Sequence, residues 1–209
     1  MKKVVSESVI NRLPRYYRYL NEIRRSGIER ISSKDLSERM HVTASQIRQD
    51  LNCFGGFGQQ GYGYNVESLQ AEIGRILGLD QGYTAILVGA GNMGRAFASN
   101  TNFESRGFKL IGIFDIDKNK IGMDVRGLKV QDYNEIKSFI EREKPSMAIL
   151  AVSRSAMHDV AENLKSYGVK AFLNFSYTEL DADEGVSVEN VHLGDSLMRL
   201  SYKISEKEE

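Results

Sequence analysis

The sequence contains little cysteine, histidine and proline, and it has no long apolar run. Its single cysteine, Cys53, excludes an internal disulfide bond. The three histidines lie far apart in the chain and give little support to a zinc centre. No apolar run approaches the roughly 18 residues of a membrane-spanning helix, and the N-terminus lacks the apolar segment of a secretory signal. We therefore expect a reduced, cytoplasmic protein without a metal site or membrane segment.

The formal net charge is zero, but the charges are unevenly distributed. Residues 1–60 carry 11 lysines and arginines against 6 acidic residues, whereas residues 61–209 carry 17 against 22. A basic end on an acidic remainder suggests that this end meets a polyanion such as nucleic acid. An uneven but solvated surface is the alternative.

The first segment has the periodicity of amphipathic helices. Pro14 lies inside an apolar pattern and predicts either a kink or the first turn of a second helix. Ser26 and Gly27 predict the end of that helix. The apolar residues that recur three or four positions apart, and so share one helix face, are Val9, Ile10, Leu13, Tyr17, Leu20 and Ile23.

Two shorter helices are predicted next, joined by a tight turn at residues 41–42. A serine at position 32 or 33 can cap the first of them, which ends at Met40. Thr43 can open the second, and Gln46 three residues later completes a capping-box pattern.

The second of these helices is polar on its outer face. Its apolar residues Ile47, Leu51 and Phe54 share one side, which leaves on the other side Ser45, Gln46, Arg48, Gln49 and Asn52. Two short helices of this kind suit a helix-turn-helix. Residues 55–64, GGFGQQGYGY, then suggest a tight hairpin, the wing of a winged helix. A flexible linker is the alternative, although large rings are unusual in glycine-rich linkers.

The rest of the chain alternates strands with helices, which is typical of a parallel sheet. A helix predicted over Val66–Leu79 leads to a domain boundary near residues 80–83. The predicted strands are Thr84–Val88, Lys109–Phe114, Met147–Val152, Ala171–Asn174 and a short one near Val186–Val191. The predicted helices are Met93–Thr101, Tyr133–Glu143, Ala156–Tyr167 and a C-terminal helix.

A glycine-rich turn directly follows the first of these strands. Residues 89–94 read GxGxxG between a buried strand and a helix start, which is the context of a dinucleotide-binding loop. Gly89 permits the tight turn, Gly91 lets the backbone approach a pyrophosphate, and Gly94 lets the helix pack against the strand. Asp115 ends the next strand and can accept hydrogen bonds from ribose hydroxyls, which favours NAD(H) over NADP(H).

Alternatives to this interpretation stay open. Lys118 and Lys120 weaken the preference against NADP(H), and a Rossmann domain can keep this backbone shape yet bind nothing or another ligand. His158 and His192 could act as general bases, but a half-exposed histidine without a catalytic role is the better interpretation of each. We predict that the protein is not an enzyme. An NAD-dependent oxidoreductase and a structural, nucleoid-type DNA binder are the minor alternatives.

The whole pattern resembles the Rex family of redox-sensing transcriptional repressors, along about residues 5–205. The segments that carry the resemblance are residues 12–20 (RLPRYYRYL), 46–51 (QIRQDL), 54–64, 89–94, 114–115 and 173–175. The resemblance implies an α/β protein with a winged helix-turn-helix domain over residues 1–80. It also implies a Rossmann NAD(H)-binding domain over residues 84–190 and a C-terminal dimerisation helix over residues 191–209.

The resemblance implies a function as well. The protein would be a homodimer that binds double-stranded operator DNA of fermentation and respiration genes. NADH would release it, and NAD+ would compete without releasing it. Each C-terminal helix would cross to the partner subunit. A stripe that fits this swap, but that could equally pack on its own domain, is formed by Leu193, Leu197, Leu200 and Ile204.

By the same resemblance, Ser45, Gln46 and Arg48 would face the major groove, with Arg48 the best candidate for a guanine contact. Arg12, Arg15 and Arg18 would lie near phosphates, unless they form a merely solvated helix face. Gln49 and Gln60 complete the predicted DNA-binding set. The predicted cofactor-binding set comprises Gly89, Ala90, Gly91, Asn92, Met93, Gly94, Asp115, Ala151, Val152, Asn174 and Phe175.

Several residues depart from the family pattern. On the DNA side, Gln49 and Gln60 stand where cations are usual, and Cys53 replaces a tyrosine. On the sensing side, the residues that depart are Asn100, Ala151, Ser153 and His192. The adenosine half of the predicted site is intact and the nicotinamide half is altered. A Rex-like paralogue with weakened or lost NAD(H) discrimination is therefore the alternative to a full NADH sensor.

Overall fold

A computed structural model describes residues 5–55, 62–99 and 103–206. The chain divides between Gln81 and Gly82 into two compact units. The first unit is mainly helical, with elements in the order α1 (Glu7–Ile10), α2 (Leu13–Arg25), β1 (Arg30–Ile31), α3 (Ser33–Met40), α4 (Ala44–Asn52), β2 (Tyr64–Asn65) and α5 (Val66–Ile76).

Local capping explains where these helices begin. Pro14 lies in the first turn of α2, so the second of its two predicted roles is confirmed. The Ser32 Oγ accepts from the Asp35 amide at 3.0 Å and caps α3. The Thr43 Oγ1 likewise accepts from the Gln46 amide at 3.1 Å and caps α4. The reciprocal half of the predicted capping box is wrong, because the Gln46 side chain donates to Asp50 instead.

The core of the first unit lies between α2, α3, α4 and α5. Tyr16, and not the predicted Tyr17, is the fully buried tyrosine of α2. The buried stripe of α2 advances three or four residues at a time through Leu13, Tyr16, Leu20 and Ile23, and Tyr17 stands one position to its side. There the Tyr17 ring packs near Gly74 of α5, where a Cβ would lie 3.1 Å from it.

The two short strands of the first unit form an antiparallel pair, Arg30 with Asn65 and Ile31 with Tyr64. Strand β1 was not predicted, because two residues are too few to show an alternating pattern. Most of the hairpin predicted over residues 55–64, including Gln60, lies outside the described residues. Arg30 donates to the Tyr62 carbonyl at 3.0 Å. Helix α5 ends at Ile76, three residues before the predicted end, and Gly78 follows with a left-handed backbone.

The second unit contains one seven-stranded sheet with helices on both faces. Its elements are β3 (Tyr83–Val88), α6 (Asn92–Ala98), β4 (Phe108–Asp115), β5 (Asp124–Val125), β6 (Leu128–Asp132), α7 (Ile136–Glu143), β7 (Met147–Leu150), α8 (Arg154–Ser166), β8 (Ala171–Asn174), β9 (Ser187–Asn190) and α9 (Leu193–Ser205). Single 3-10 turns precede β4 and α7, at Glu104–Arg106 and Tyr133–Glu135.

The strand order is β5-β6-β4-β3-β7-β8-β9, with β5 antiparallel and every other pair parallel. Counted by appearance, the parallel strands stand in the order 3-2-1-4-5-6 of a Rossmann fold. The predicted fold class is therefore confirmed. Strands β5 and β6 were missed, since their polar, glycine-interrupted sequence lacks a buried run. Strand β7 ends at Leu150, two residues before the predicted end.

Alternate residues along β3 point to opposite faces of the sheet and build two cores. Ile86 and Val88 join Phe114 and residues of α7 and α8 on one face. Ala85 and Leu87 join Ile113, Ile149 and α6 on the other. Helix α9 belongs to neither cluster, and its apolar side chains are exposed.

We expect the central strand to tolerate truncation poorly. Ile86→Ala should lower the free energy of unfolding by about 2–5 kcal/mol, because the side chain is fully buried and leaves a cavity. Ile116→Ala is the matched control, since Ile116 is 76% exposed, and should change it by less than about 0.5 kcal/mol. Urea unfolding of both variants without ligand measures the difference. Equal losses would contradict the assigned core.

Candidate functional site

The turn after β3 and the first turn of α6 pack so closely that Gly89 and Gly94 have no room for a side chain. Gly89 has φ +99°, and a Cβ there would run into the Ala151 carbonyl at the end of β7. A Cβ on Gly94 would run into the Gly89 carbonyl. The Gly89 amide also donates to the Phe114 carbonyl of β4 at 2.8 Å. The loop is thereby fixed against both neighbouring strands.

Gly91 serves a different purpose from these two glycines. It is the N-cap residue of α6, and no described residue places an atom within 4 Å of a Cβ built on it. That space belongs to a cleft at the carboxyl ends of β3, β4 and β7, where Rossmann folds bind their ligands. The cleft is lined by Val88, Gly89, Gly91, Asp115, Ile116, Lys120, Tyr133, Ala151, Val152, Ser153, Ala156 and Val160.

Asp115 connects the end of β4 with the glycine loop. Its carboxylate accepts from the Ala90 amide at 2.7 Å, the Asp117 amide at 2.9 Å and the Lys120 ammonium at 3.1 Å. Burial alone would raise the pKa of Asp115, but the two amides and Lys120 outweigh it and hold that pKa below its ordinary value. Of the two lysines that could weaken a preference for NAD(H), Lys120 is the one placed on this carboxylate, and Lys118 is exposed.

Five of the predicted cofactor residues line the cleft: Gly89, Gly91, Asp115, Ala151 and Val152. Asn174 is fully buried and hydrogen-bonded within the protein: its Nδ2 donates to the Thr178 carbonyl at 2.8 Å and the Asn190 side chain at 2.7 Å, and its Oδ1 accepts from the Ser176 amide. Asn174 therefore shapes the loop after β8.

A second cleft lies where β8 and β9 lead into α9. The His192 Nε2 lies 3.8 Å from a carboxylate oxygen of Glu179, and the Phe175 ring centroid lies 5.3 Å from that of Phe97. Asn100 lies outside the described residues. His158 is exposed on α8. The lining consists of Met93, Phe175, Ser176, Tyr177, Glu179, Val191, His192, Leu193, Gly194, Asp195 and Met198.

Helix α4 presents the predicted polar face in the first unit. Ser45, Arg48 and Gln49 are exposed, and Gln46 is half-buried. The Arg48 guanidinium donates to the Ser33 hydroxyl at 3.1 Å, an exposed contact that leaves the side chain at the surface. These residues thus share an accessible helix face. That they contact DNA stays a prediction.

A buried carboxylate beneath this face was not predicted. Asp50 is 1% exposed. It accepts two hydrogen bonds from the Arg12 guanidinium, at 2.7 and 2.8 Å, one from the Tyr16 hydroxyl at 2.7 Å and one from the Gln46 Nε2 at 2.8 Å. The signal was present in the sequence, because Asp50 falls between Ile47 and Leu51 on the apolar side of α4.

These contacts give a structural role to two arginines whose contacts with DNA stay a prediction. The head group of Arg12 is held by Asp50, and Arg15 donates to the Met40 carbonyl at the end of α3. Both residues therefore fasten α2 to the helix-turn-helix. Burial would raise the pKa of Asp50, but the bonds from Arg12, Tyr16 and Gln46 hold it below its ordinary value. Arg18 is exposed, with its guanidinium 5.8 Å from the Tyr19 ring centroid.

None of the helices within residues 5–55, 62–99 and 103–206 is long and apolar enough to cross a membrane. Within the same ranges, no three histidine, cysteine, aspartate or glutamate residues are grouped so that they could hold a metal ion.

Two family models match the chain. One described as "Putative DNA-binding protein N-terminus" matches residues 4–52. Another described as "CoA binding domain" matches residues 80–178. The first match covers the helix-turn-helix and the second covers the glycine loop and its cleft.

The chain is also similar in sequence to a named repressor and in structure to solved crystal structures. It is 51% identical over 207 residues to the redox-sensing transcriptional repressor Rex of Thermoanaerobacter sp. (strain X514), across 99% of this chain and 92% of the relative. A crystal structure of RSP in complex with beta-NAD+ and operator DNA matches with a TM-score of 0.92 and 50% identity, across 99% and 95% of the two chains. RSP in complex with beta-NADH matches with a TM-score of 0.91 and 47% identity, across 99% and 97%.

The low pKa of Asp115 predicts a pH-dependent contribution to stability. A carboxylate whose pKa falls on folding stabilises the protein above its unfolded pKa of about 4, and this contribution disappears as the pH falls through the folded value. We expect Asp115→Asn to lower the free energy of unfolding by about 1–3 kcal/mol at pH 7, because buried donors lose a charged acceptor. The deficit should shrink below about pH 4.

Urea unfolding between pH 7 and pH 3 measures this deficit. Asp159→Asn is the control, since Asp159 is exposed on α8. A deficit of the same size at every pH would contradict the proposed ionisation of Asp115.

Proposed function

The chain belongs to the Rex family of redox-sensing transcriptional repressors, and we propose that it binds operator DNA through α4 and releases it when NADH occupies its glycine-loop cleft. The observation that carries the proposal is the cleft itself. Its loop amides and the open space at Gly91 suit a diphosphate, and Asp115 stands at the strand end that meets a ribose. The similar proteins are named as transcriptional repressors and not as enzymes, which supports this function over an oxidoreductase.

Specificity for the redox state has to arise at the nicotinamide ring, because NADH and NAD+ differ only there. A ligand shifts a two-state equilibrium only by its differential affinity for the two states. The cleft that begins α9 carries His192 and Phe175 beside the glycine-loop helix residue Met93. We assign it to the nicotinamide half of the cofactor. A paralogue with weakened discrimination remains the second candidate, favoured by His192 and Asn100.

We also propose a homodimer built on α9. The apolar side chains of this helix are 53–69% exposed, and they belong to Leu193, Leu197, Met198, Leu200, Tyr202 and Ile204. A helix face with this much exposed apolar area favours an interaction surface, which supports pairing with a second copy. The proposed domains are residues 1–80 for DNA, 84–190 for the cofactor and 191–209 for dimerisation. Because operator DNA is the partner, we infer a cytoplasmic location.

The redox response can be measured directly. A duplex selected by the protein from a random pool is bound, and NADH and NAD+ are then titrated separately while fluorescence anisotropy follows release. We expect release by NADH and competition without release by NAD+. Equal or absent release by both would contradict redox sensing and support the paralogue.

Gly91→Ser provides a sharp test of the cleft. Serine is a good N-cap residue, so the free energy of unfolding should change by less than about 0.5 kcal/mol. Its side chain would nevertheless enter the space reserved for the diphosphate, so calorimetry should show NADH affinity at least about 10-fold weaker, a loss of about 1.4 kcal/mol. Asp159→Asn, on the exposed side of α8, is the control and should bind NADH normally. Normal binding by Gly91→Ser would place the cofactor elsewhere.

The dimer proposal rests on the apolar face of α9. Replacing both Leu197 and Leu200 by glutamate should shift sedimentation equilibrium from dimer to monomer, because charges would be buried without partners. Lys203→Glu places the same charge on a polar position of the helix and should leave the dimer intact. Persistence of the dimer in the double variant would show that another surface holds it.

A further inference from the structure

We propose that Asp50 is a positioning residue for operator recognition: it fixes the orientation of the Gln46 amide, so that Gln46 reads one adenine-bearing base pair. The inference rests on the proposed function of α4. It goes further, because it assigns the specificity of one base pair to a side chain that cannot itself reach DNA. Asp50 is 1% exposed on the inner side of the helix.

The contacts of Asp50 leave little freedom to the groups around it. One carboxylate oxygen accepts from the Arg12 Nη2 and the Gln46 Nε2, both at 2.8 Å. The other accepts from the Arg12 Nε and the Tyr16 hydroxyl, both at 2.7 Å. Such a network around a buried charge is rigid, since moving any donor removes one of the four hydrogen bonds that replace the hydration of the carboxylate.

The carboxylate decides which end of the Gln46 amide faces it. An ionised carboxylate accepts hydrogen bonds only, so the NH2 group and not the carbonyl must lie against Asp50. A free glutamine can rotate its amide by half a turn and exchange donor and acceptor. Here that exchange would place two acceptors together, and the order of the remaining N–H and carbonyl is therefore fixed.

A fixed donor–acceptor pair matches one base edge in the major groove. Adenine presents an acceptor, N7, beside a donor, the N6 amino group, and glutamine pairs with both. Guanine presents two acceptors there, which a locked amide cannot satisfy. Arg12 contributes as the counter-charge of Asp50, so that a buried anion on the recognition helix does not repel the phosphates.

Asp50→Asn is the informative substitution, because it keeps the shape of the side chain. An amide at this position has one acceptor oxygen, so its NH2 group must oppose a donor of Arg12, Tyr16 or Gln46. The Gln46 amide can relieve this mismatch by turning its carbonyl toward the new NH2 group, and it then loses the orientation that Asp50 fixes. Arg48→Ala is the matched control, since it removes an exposed side chain from the same helix without touching the network.

The experiment uses the full-length protein and duplexes selected from a random pool by the wild type. Competition binding against every single base-pair change of the selected site gives a preference at each position. Asp50→Asn should reduce the preference for adenine at one position by at least about 10-fold. Affinity for an unrelated duplex at the same salt concentration should change by less than about 2-fold, because phosphate contacts are sequence-independent.

Gln46→Ala should lose the preference at that same position, and the double variant should lose no more than either single one. Arg48→Ala should affect a different position. A loss spread evenly over all positions in Asp50→Asn, or an unchanged adenine preference, would overturn the proposal. If Asp50→Asn does not fold, Gln46→Ala decides: retained preference at every adenine overturns it. If the wild type selects no sequence at all, the proposed function fails instead.

Discussion

Close backbone packing at the end of β3 is the constraint on which the second unit depends. The turn after this strand lies against the Ala151 carbonyl on one side and the first turn of α6 on the other, and Gly89 and Gly94 leave no space for a side chain between them. This packing brings α6 to the sheet and opens the cleft beside Gly91. A side chain at either glycine would separate strand from helix and deform the cleft as well as the core.

Two buried aspartates organise the two units by the same physical means. Asp115 draws the glycine loop, the turn after β4 and Lys120 together. Asp50 does the same for α2 and α4 through Arg12, Tyr16 and Gln46. A buried charge is tolerable only when hydrogen bonds replace its hydration, and donors brought in for that purpose become fixed in position. In both units the fixed groups border the surface assigned to a ligand.

The proposed signal links chemistry at the cofactor to the dimerisation helix. The cleft assigned to the nicotinamide is lined by the last residues before α9 and by its first turn, His192 to Asp195. The rest of α9 exposes its apolar face. A small change at the nicotinamide ring can therefore act on α9, the helix through which we propose that two copies pair. An interface with two stable arrangements can amplify a local difference in ligand affinity.

Periodicity and turn chemistry determined most of the elements and the glycine loop, because a helix start, a buried strand and GxGxxG are local patterns along the chain. The same patterns predicted Asp115 and the polar face of α4. They could not show that Arg12 turns inward to Asp50 or that β1 pairs with β2. Nor could they show that the Asn174 side chain forms its hydrogen bonds within the protein, to Thr178, Asn190 and Ser176. Those outcomes depend on which distant groups meet when the chain packs, and only the tertiary structure places a donor 38 residues away against a buried carboxylate.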